Sequence, residues 1–402
     1  MTLITDNVAK SILNSFEGSI RRQYGKTDRG YQDLIGKPVL SQAEISELAH
    51  CWDRLDSEKI EDNVYYSRKY VQALLNNLPQ KHNVKFAAAW QSEKLIGLLP
   101  VFLLPIWIPY FVPRGAAWTT LYTFSCLPIL DKHDPVASAR GVLKSLSDMR
   151  VADWSIRDFY LSGPTHSAFC NALDQEKVAW HSVPKYERAV FEAGHDFEQH
   201  IKEFVPRKRR RDLARNRKRF EKLGEVTHEV HTHGEGLEYA VDAFLDLEKS
   251  GWKGECGTAL ACNKETENFA REIFQPKATG AVRADLLLLD GIPVAAGMMV
   301  FDGGTAFTIK GAYNEVYSKY SVGLLLEMEV AESFLNGDWA RKLDSATAGS
   351  HVIDFLWPER QAVGDLYFSF RPNMNASKFK NFEKLDQWKN NSKNKLKQLL
   401  HR

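Results

Sequence analysis

The sequence predicts an α/β (α+β) protein with two tandem domains, each a mainly antiparallel sheet flanked by helices. First, apolar runs of strand length are separated by turn signals, and segments with helical periodicity lie between them. Second, two hairpin patterns resemble each other, FAAAWQSEKLIGLLPVFL at residues 86–103 and DLLLLDGIPVAAGMMVF at residues 285–301. Each has an apolar strand, a short polar turn and an apolar strand interrupted by glycine. This similarity indicates an internal duplication.

The composition is that of a globular protein. The 402 residues suffice for two domains, and their 44% hydrophobic and 26% charged content is ordinary. The net charge of +2 gives no general case for nucleic-acid binding. Five cysteines without a CxxC pair argue against a disulfide framework. The amino-terminal segment lacks a signal-peptide pattern, and prolines interrupt the apolar run at residues 95–113. We therefore expect a cytoplasmic protein.

The first half predicts an N-terminal arm over residues 1–40 and a domain over residues 41–200. A helix is expected to begin at Ser41, because a glutamate follows three residues later. The first hairpin comes next. A second helix begins at Asp134, whose side chain can cap it, with proline at the first helical position. A strand then ends near Gly163.

A basic connecting helix is predicted over residues 201–224. From Arg207 to Arg219, nine of thirteen residues are basic, so we expect positive charge almost all round. The helix could bind an anionic partner or serve as a solvated connector.

The second half predicts a domain over residues 225–370, followed by a basic tail over residues 371–402. An amphipathic helix ends at Gly251, and the second hairpin turns at Asp290-Gly291, a strong turn dipeptide. A further strand, a helix from Ser321 and a last strand complete the domain.

Several stretches of this half resemble the BioF2-like or CelD-like branch of the GNAT acyltransferase superfamily, which is distantly related to the FemAB aminoacyl transferases. They are SGWKGECGTAL, LDGIPVAAG, IKGAYNE and YSVGLLLEME, in this order. The resemblance is specific at residues 247–258 and extends to about residue 344. It implies two tandem GNAT-like domains, the second with the better-formed donor site, and acetyl-CoA or another acyl-CoA as the donor.

The resemblance also implies a donor site at the helix that begins near Ser321. A helix start presents free N–H groups and partial positive charge, which suit a pyrophosphate. The usual superfamily pattern has Arg or Gln at the position of Tyr320 and Gly or Ala at the position of Leu325, so only Gly323 matches. This departure leaves room for another acyl or aminoacyl donor. The implied cofactor-binding residues are Tyr320, Ser321, Val322, Gly323 and Leu324.

Four residues are candidates for catalysis. The resemblance implies that Lys310, on the same strand face as Thr308, neutralises an oxyanion or a phosphate. Tyr313 is a candidate general acid for a thiolate leaving group, and Glu315 and Asp344 are candidate bases. For each charged residue, a solvated strand end is the alternative.

Three glycines around Trp252 and Lys253 predict the acceptor side of the site. Glycine lets the backbone approach a ligand, the indole offers a flat wall, and the lysine can reach an anionic group. A helix C-cap with a buried tryptophan is the alternative. The candidate substrate-binding residues are Trp252, Lys253, Gly254, Thr258, Arg207 and Arg211. No metal-ligand spacing is recognised, and no metal is expected.

These features predict an acyltransferase of class EC 2.3.1, acting on an amine or hydroxyl of a sugar, polysaccharide precursor or other small metabolite. An acyl carrier protein and a membrane surface are further candidate partners. One alternative is a Fem-like transferase that uses aminoacyl-tRNA, with the basic helix contacting the RNA. Another is a non-enzymatic nucleic-acid-binding protein that uses the helix at residues 207–219.

Overall fold

In the computed structural model, the described residues form one continuous sheet of 13 strands with helices packed against it. The described residues are 34–38, 48–79, 84–104, 113–194, 196–275, 281–372, 374 and 379–380. The described residues from 35 onwards form one compact unit, so the two predicted GNAT-like domains share a single sheet. The predicted arm, the predicted helix start at Ser41 and the basic tail lie almost wholly outside the described residues.

The described residues form 13 strands and ten α-helices. The strands are β1 (Leu34–Pro38), β2 (Lys85–Gln91), β3 (Lys94–Leu103), β4 (Gly115–Ala117), β5 (Ile129–Leu130), β6 (Asp153–Tyr160), β7 (Ala179–Glu192), β8 (Val226–His231), β9 (Val282–Leu289), β10 (Ile292–Asp302), β11 (Thr305–Tyr313), β12 (Lys342–Asp344) and β13 (Glu359–Ser369). The helices are α1 (Ala49–Ser57), α2 (Arg68–Asn77), α3 (Pro135–Asp148), α4 (Pro164–Gln175), α5 (Phe197–Phe204), α6 (Arg207–Phe220), α7 (Gly234–Ser250), α8 (Trp252–Glu255), α9 (Lys264–Ile273) and α10 (Val322–Leu335). Three 3₁₀ turns cover Val64–Tyr66, Leu260–Cys262 and Glu315–Tyr320.

The two halves repeat one plan, as the hairpin patterns predicted. In the first half, β2, β3 and β4 pair antiparallel, and β4 then runs parallel to β6. In the second half, β9, β10 and β11 pair antiparallel, and β11 runs parallel to β12. The strand order across the whole sheet is β1-β2-β3-β4-β6-β13-β7-β12-β11-β10-β9-β8, with β5 beside β3.

The last strand, β13, belongs by sequence to the second half but lies in the first. It is inserted between β6 and β7 and pairs antiparallel with both. The far edge of β7 pairs with β12, which joins the halves. The sheet is therefore continuous because a C-terminal strand fills the gap between two N-terminal strands.

A helix packs over the glycine in the second strand of each hairpin, and only at Gly97 is the approach too close for a side chain. A Cβ at Gly97 would lie 2.9 Å from the carbonyl oxygen of Ser138 in α3. A Cβ at Gly297 would lie 3.8 Å from the Leu326 side chain in α10. The pattern that suggested the duplication thus marks the contact of equivalent helices, α3 and α10.

The basic helix α6 differs from the prediction. It is not charged all round, because Leu213 and Phe220 are buried in the same core cluster as α10. Arg217 pairs with Glu329 of α10 and with Glu221. The remaining arginines and lysines are mostly exposed. One apolar face therefore fixes α6 against the second half.

Candidate active site

A cleft opens where β11 and β12 separate. The two strands pair over three residues only, from Thr305–Lys342 to Phe307–Asp344. Beyond this point β11 continues to Tyr313, whereas Ser345 donates its backbone N–H to Ala189 of β7. The resulting cleft has a volume of about 610 Å³. Its walls are residues 308–313, residues 345–347, residues 351–353 and the start of α10.

A β-bulge at Ile309 aims the side chains of β11. Lys310 is opposite Met298, and Thr308 is opposite the adjacent Met299, so Ile309 is the extra residue. Neighbouring residues of β10 point to opposite faces, and so do Thr308 and Lys310. The prediction that they share one face is wrong, because the bulge resets the alternation. Both nevertheless line the cleft.

The centre of the site is Glu248, which the sequence analysis missed. Its Oε1 accepts hydrogen bonds from Lys310 Nζ at 2.6 Å and from Lys253 Nζ at 3.3 Å. Its Oε2 accepts from the backbone N–H of Leu260 at 2.8 Å. Lys253 Nζ also donates to the Gly311 carbonyl at 3.1 Å. Glu248 is buried at the end of α7, so it fixes both lysines and the loop after α8.

The charges around Glu248 do not cancel. Two ammonium groups face one carboxylate, which leaves an excess positive charge at the mouth of the cleft. Burial lowers the pKa of Lys253, the nearby charge of Lys310 lowers it further, and Glu248 opposes both effects. This arrangement favours an anionic group or a developing negative charge.

Trp252 forms an exposed wall beside the cleft. Its side chain is 55% exposed, which excludes the alternative of a tryptophan buried under a helix cap. Its backbone N–H starts α8 and donates to Glu315 Oε1 at 2.8 Å. Trp252, Lys253, Tyr313 and Glu315 line a small adjoining pocket of about 70 Å³. Glu315, a predicted base, thus holds the start of α8 by accepting the backbone N–H of Trp252.

Two other predicted acceptor-side residues shape the loop. A Cβ at Gly254 would lie 1.7 Å from the Lys249 carbonyl oxygen, so only glycine permits this approach. The hydroxyl of Thr258 donates to the Lys253 carbonyl at 3.2 Å. Gly254 and Thr258 therefore position Lys253 and are not among the residues that line the cleft.

The start of α10 lies at the cleft, as predicted. Ser321 adopts a left-handed conformation with φ of 59°, and its hydroxyl accepts a hydrogen bond from Asn216 of α6 at 3.2 Å. The first intrahelical bond joins the Leu325 N–H to the Ser321 carbonyl at 3.0 Å. A Cβ at Gly323 would lie 3.3 Å from the Tyr313 ring, so the glycine gives that ring room.

The predicted donor-site residues divide into two groups. Ser321, Gly323 and Leu324 line the cleft, whereas the side chains of Tyr320 and Val322 are buried in the core. Arg207 and Arg211 are exposed on α6 and are not among the residues lining the cleft. The start of α10 thus lines the cleft mainly with its backbone and with small side chains.

Asp344, the other predicted base, belongs to a buried network between the halves. Its Oδ2 accepts from the Tyr160 hydroxyl at 2.8 Å, and its Oδ1 accepts from the Ala346 N–H at 2.7 Å. Oδ1 also lies 3.6 Å from Arg188 Nη1, and both side chains are at most 1% exposed. Asp344 therefore neutralises a buried guanidinium beside the cleft.

Three further residues of the cleft wall were missed: Thr308, Glu327 and His351. Glu327 Oε2 and Thr308 Oγ1 are buried and have no hydrogen-bond partner among the described residues. Burial raises the pKa of Glu327 to about 7, and the charge of Asp285 adds to the effect. A signal for Glu327 existed, because it interrupts the apolar stretch VGLLLEMEVA of α10.

A family model matches part of the second half of the chain. The family model described as "Acetyltransferase (GNAT) domain" matches residues 207–349, which include all of the residues lining the cleft except 351–353. This finding confirms the GNAT part of the sequence resemblance. No match is found among curated proteins.

Solved structures share the fold across both halves. A conserved protein of unknown function from Bacteroides thetaiotaomicron is 10% identical, with a TM-score of 0.52, and the match covers 80% of this chain and 97% of that one. FemX is also 10% identical, with a TM-score of 0.52, over 79% of this chain and 94% of its own. A tandem GNAT protein from the clavulanic acid biosynthesis pathway is 15% identical, with a TM-score of 0.41, over 85% of this chain and 100% of its own. The first two similarities show that the fold extends across both halves of the chain.

Proposed function

We propose that this protein is an acyltransferase that moves an acyl group from an acyl-CoA to an amine or hydroxyl. The observation that carries this proposal is the cleft between β11 and β12, which ends at the start of α10 with Lys310 and Tyr313 on its walls. The acceptor is a sugar, a polysaccharide precursor or a similar small metabolite. The narrower BioF2-like or CelD-like assignment belongs to the same proposal.

The donor side uses the start of α10 and the free edge of β11. The N–H groups of Val322, Gly323 and Leu324 precede the first intrahelical donor, Leu325, so they are available to the pyrophosphate of coenzyme A. The extended pantetheine arm fits a strand edge, because its amides can pair with the backbone of residues 308–313.

Residues near the bulge at Ile309 carry out the chemistry. Lys310, held by Glu248, stabilises the oxyanion that forms when the acceptor attacks the thioester. Tyr313, half-exposed and packed at Gly323, gives a proton to the departing thiolate. Trp252 provides a face for a sugar ring or another flat acceptor, and Lys253 binds an anionic group on it.

A Fem-like aminoacyl transferase is the second candidate. Tyr320 stands where the usual pyrophosphate pattern has Arg or Gln, and its side chain is buried. The basic helix α6 is joined to the start of α10 through Asn216 and Ser321. A polyanionic donor such as aminoacyl-tRNA would contact both. The fold similarity to FemX agrees with this candidate but does not choose between donors.

One experiment separates the two donors. Thiol release is followed with Ellman's reagent after adding acetyl-CoA, or longer acyl-CoA, to the protein with pooled amino sugars and amino alcohols. Lys310→Ala should lower the rate at least 100-fold, about the effect of removing one oxyanion donor. Lys249→Ala is the matched control, because Lys249 is exposed on the neighbouring helix.

Coenzyme A should also raise the melting temperature if it is the donor. Neither thiol release nor stabilisation by coenzyme A would refute the acyl-CoA proposal. Transfer of a labelled amino acid from aminoacyl-tRNA would then support the second candidate.

A further inference from the structure

Two polar atoms at the cleft are buried without a hydrogen-bond partner among the described residues. They are Oε2 of Glu327, on α10, and Oγ1 of Thr308, on β11. Both residues line the same cleft. Buried polar atoms are rarely left unpaired in a native protein. An unpaired one is expected where a bound ligand supplies its hydrogen-bond partner. The pair therefore indicates where a polar group of a substrate binds.

The other carboxylates near the cleft are already engaged. Glu248 holds two lysines, Glu315 holds the N–H of Trp252, and Asp344 neutralises Arg188. Among the described residues that line the cleft, Glu327 is the one carboxylate. A carboxylate without a cationic partner remains free to accept a proton from a substrate.

We propose that Glu327 is the general base of the transfer reaction and that Thr308 positions the nucleophilic group of the acceptor. The inference deepens the proposed acyltransferase function and rests on it. The hydroxyl of Thr308 hydrogen-bonds the attacking nitrogen or oxygen. The carboxylate of Glu327 takes the proton which that atom loses.

The lone pair of the acceptor nitrogen or oxygen attacks the thioester carbonyl carbon, and a C–N or C–O bond forms. The proton of the acceptor passes to Glu327, and the C–S bond breaks as the tetrahedral intermediate collapses. The thiolate receives a proton from Tyr313. Glu327 then releases its proton to solvent and Tyr313 regains one, so the net products are the acylated acceptor and a free thiol.

The electrostatic surroundings suit a base that acts near neutral pH. Burial is the main cause that raises the pKa of Glu327 to about 7, and the charge of Asp285 on β9 adds to it. Asp285 is itself held by Arg283 at 2.7 Å and by His228 at 2.9 Å. The other charged or titratable groups that line the same cleft are Lys253, Lys310, Tyr313 and His351.

His351 is the competing base. It lines the same cleft, and burial lowers the pKa of its imidazole. The two candidates are distinguished by replacing each in turn.

The test measures kcat/KM for thiol release against pH, on the full chain with an acyl-CoA donor and an amine acceptor. Glu327→Gln should lower kcat by about 10²- to 10⁴-fold and abolish the acidic limb of the profile near pH 7. Thr308→Val should raise the KM for the acceptor and leave the KM for the donor unchanged. Glu329→Gln is the matched control, because Glu329 lies on the same helix and pairs with Arg217.

The outcomes are distinct. If the wild-type protein is active and its Glu327→Gln variant keeps both the rate and the acidic limb, this inference alone is overturned. The same conclusion follows if His351→Gln, and not Glu327→Gln, removes that limb. A wild-type protein that transfers nothing from any thioester overturns the proposed function, and the base role with it. If Glu327→Gln fails to fold, Glu327→Asp replaces it and should keep the limb with a lower rate.

Discussion

Replacing Glu248 by glutamine tests the arrangement at the centre of the site. The side chain of Glu248 is fully buried, whereas those of Lys310 and Lys253 are 21% and 27% exposed. Glutamine keeps the shape and still accepts the hydrogen bond from Leu260 N–H. It removes the charge that both lysines face.

The expected loss of stability follows from these contacts. A hydrogen bond to a charged group contributes about 1.5–3 kcal/mol, and Glu248 makes two with lysines. Partial exposure of the lysines lets water screen the loss. We therefore expect the free energy of unfolding to fall by about 2–3 kcal/mol, which raises the unfolding equilibrium constant about 30- to 150-fold.

Urea denaturation at pH 7 measures this change, with tryptophan fluorescence and far-UV circular dichroism recorded together. Coinciding transitions justify a single free energy. Glu255→Gln is the control, because Glu255 is exposed in α8 and should change the free energy by less than about 0.5 kcal/mol. A Glu248→Gln protein as stable as this control would refute the assigned role of Glu248.

Three further predictions concern single residues. Asp344→Asn should lower the free energy of unfolding by about 3–5 kcal/mol, because Arg188 stays buried without its counter-charge; unchanged urea stability would contradict the role assigned to this ion pair. Burial raises the pKa of Glu327 from 4.5 to about 7, so the folded state favours the protonated form. The wild-type protein should therefore lose up to about 3 kcal/mol of stability relative to Glu327→Gln as the pH rises from 4.5 to above 7; parallel urea midpoints across that range would contradict this. Trp252→Ala should change stability by less than about 1 kcal/mol, since the indole is exposed, and raise the KM for the acceptor; an unchanged KM would remove Trp252 from the acceptor site.

Local patterns predicted the parts of the fold that local forces determine. The turn at Asp290-Gly291 has φ of 50° and 76°, the conformation that this dipeptide favours in a hairpin. Asp134 caps α3 through the N–H of Ala137 at 2.9 Å, as its place before a proline indicated. The start of α10 was found from the resemblance and from Gly323. Each of these features depends on residues close together in the chain.

Other parts depend on contacts between distant segments. No local pattern places β13 between β6 and β7, or pairs Arg188 with Asp344. The bulge at Ile309 is also invisible in the sequence, since β11 reads as a regular strand.

The sequence did contain an indication of the two carboxylates that were missed. Glu248 follows Phe244 by four residues on the apolar face of α7, and Glu327 interrupts the apolar stretch of α10. A charged residue among apolar neighbours on a helix should have been taken as a candidate for a buried polar role.

The insertion of β13 has a consequence for how the protein is made. The N-terminal half leaves the ribosome first, but β6 and β7 have no strand between them until residues 359–369 emerge. Until then two unpaired strand edges lie open in the middle of the nascent sheet, where another chain can pair with them. A stop codon before residue 359 would therefore disrupt the folding of the first half as well as remove the last strand.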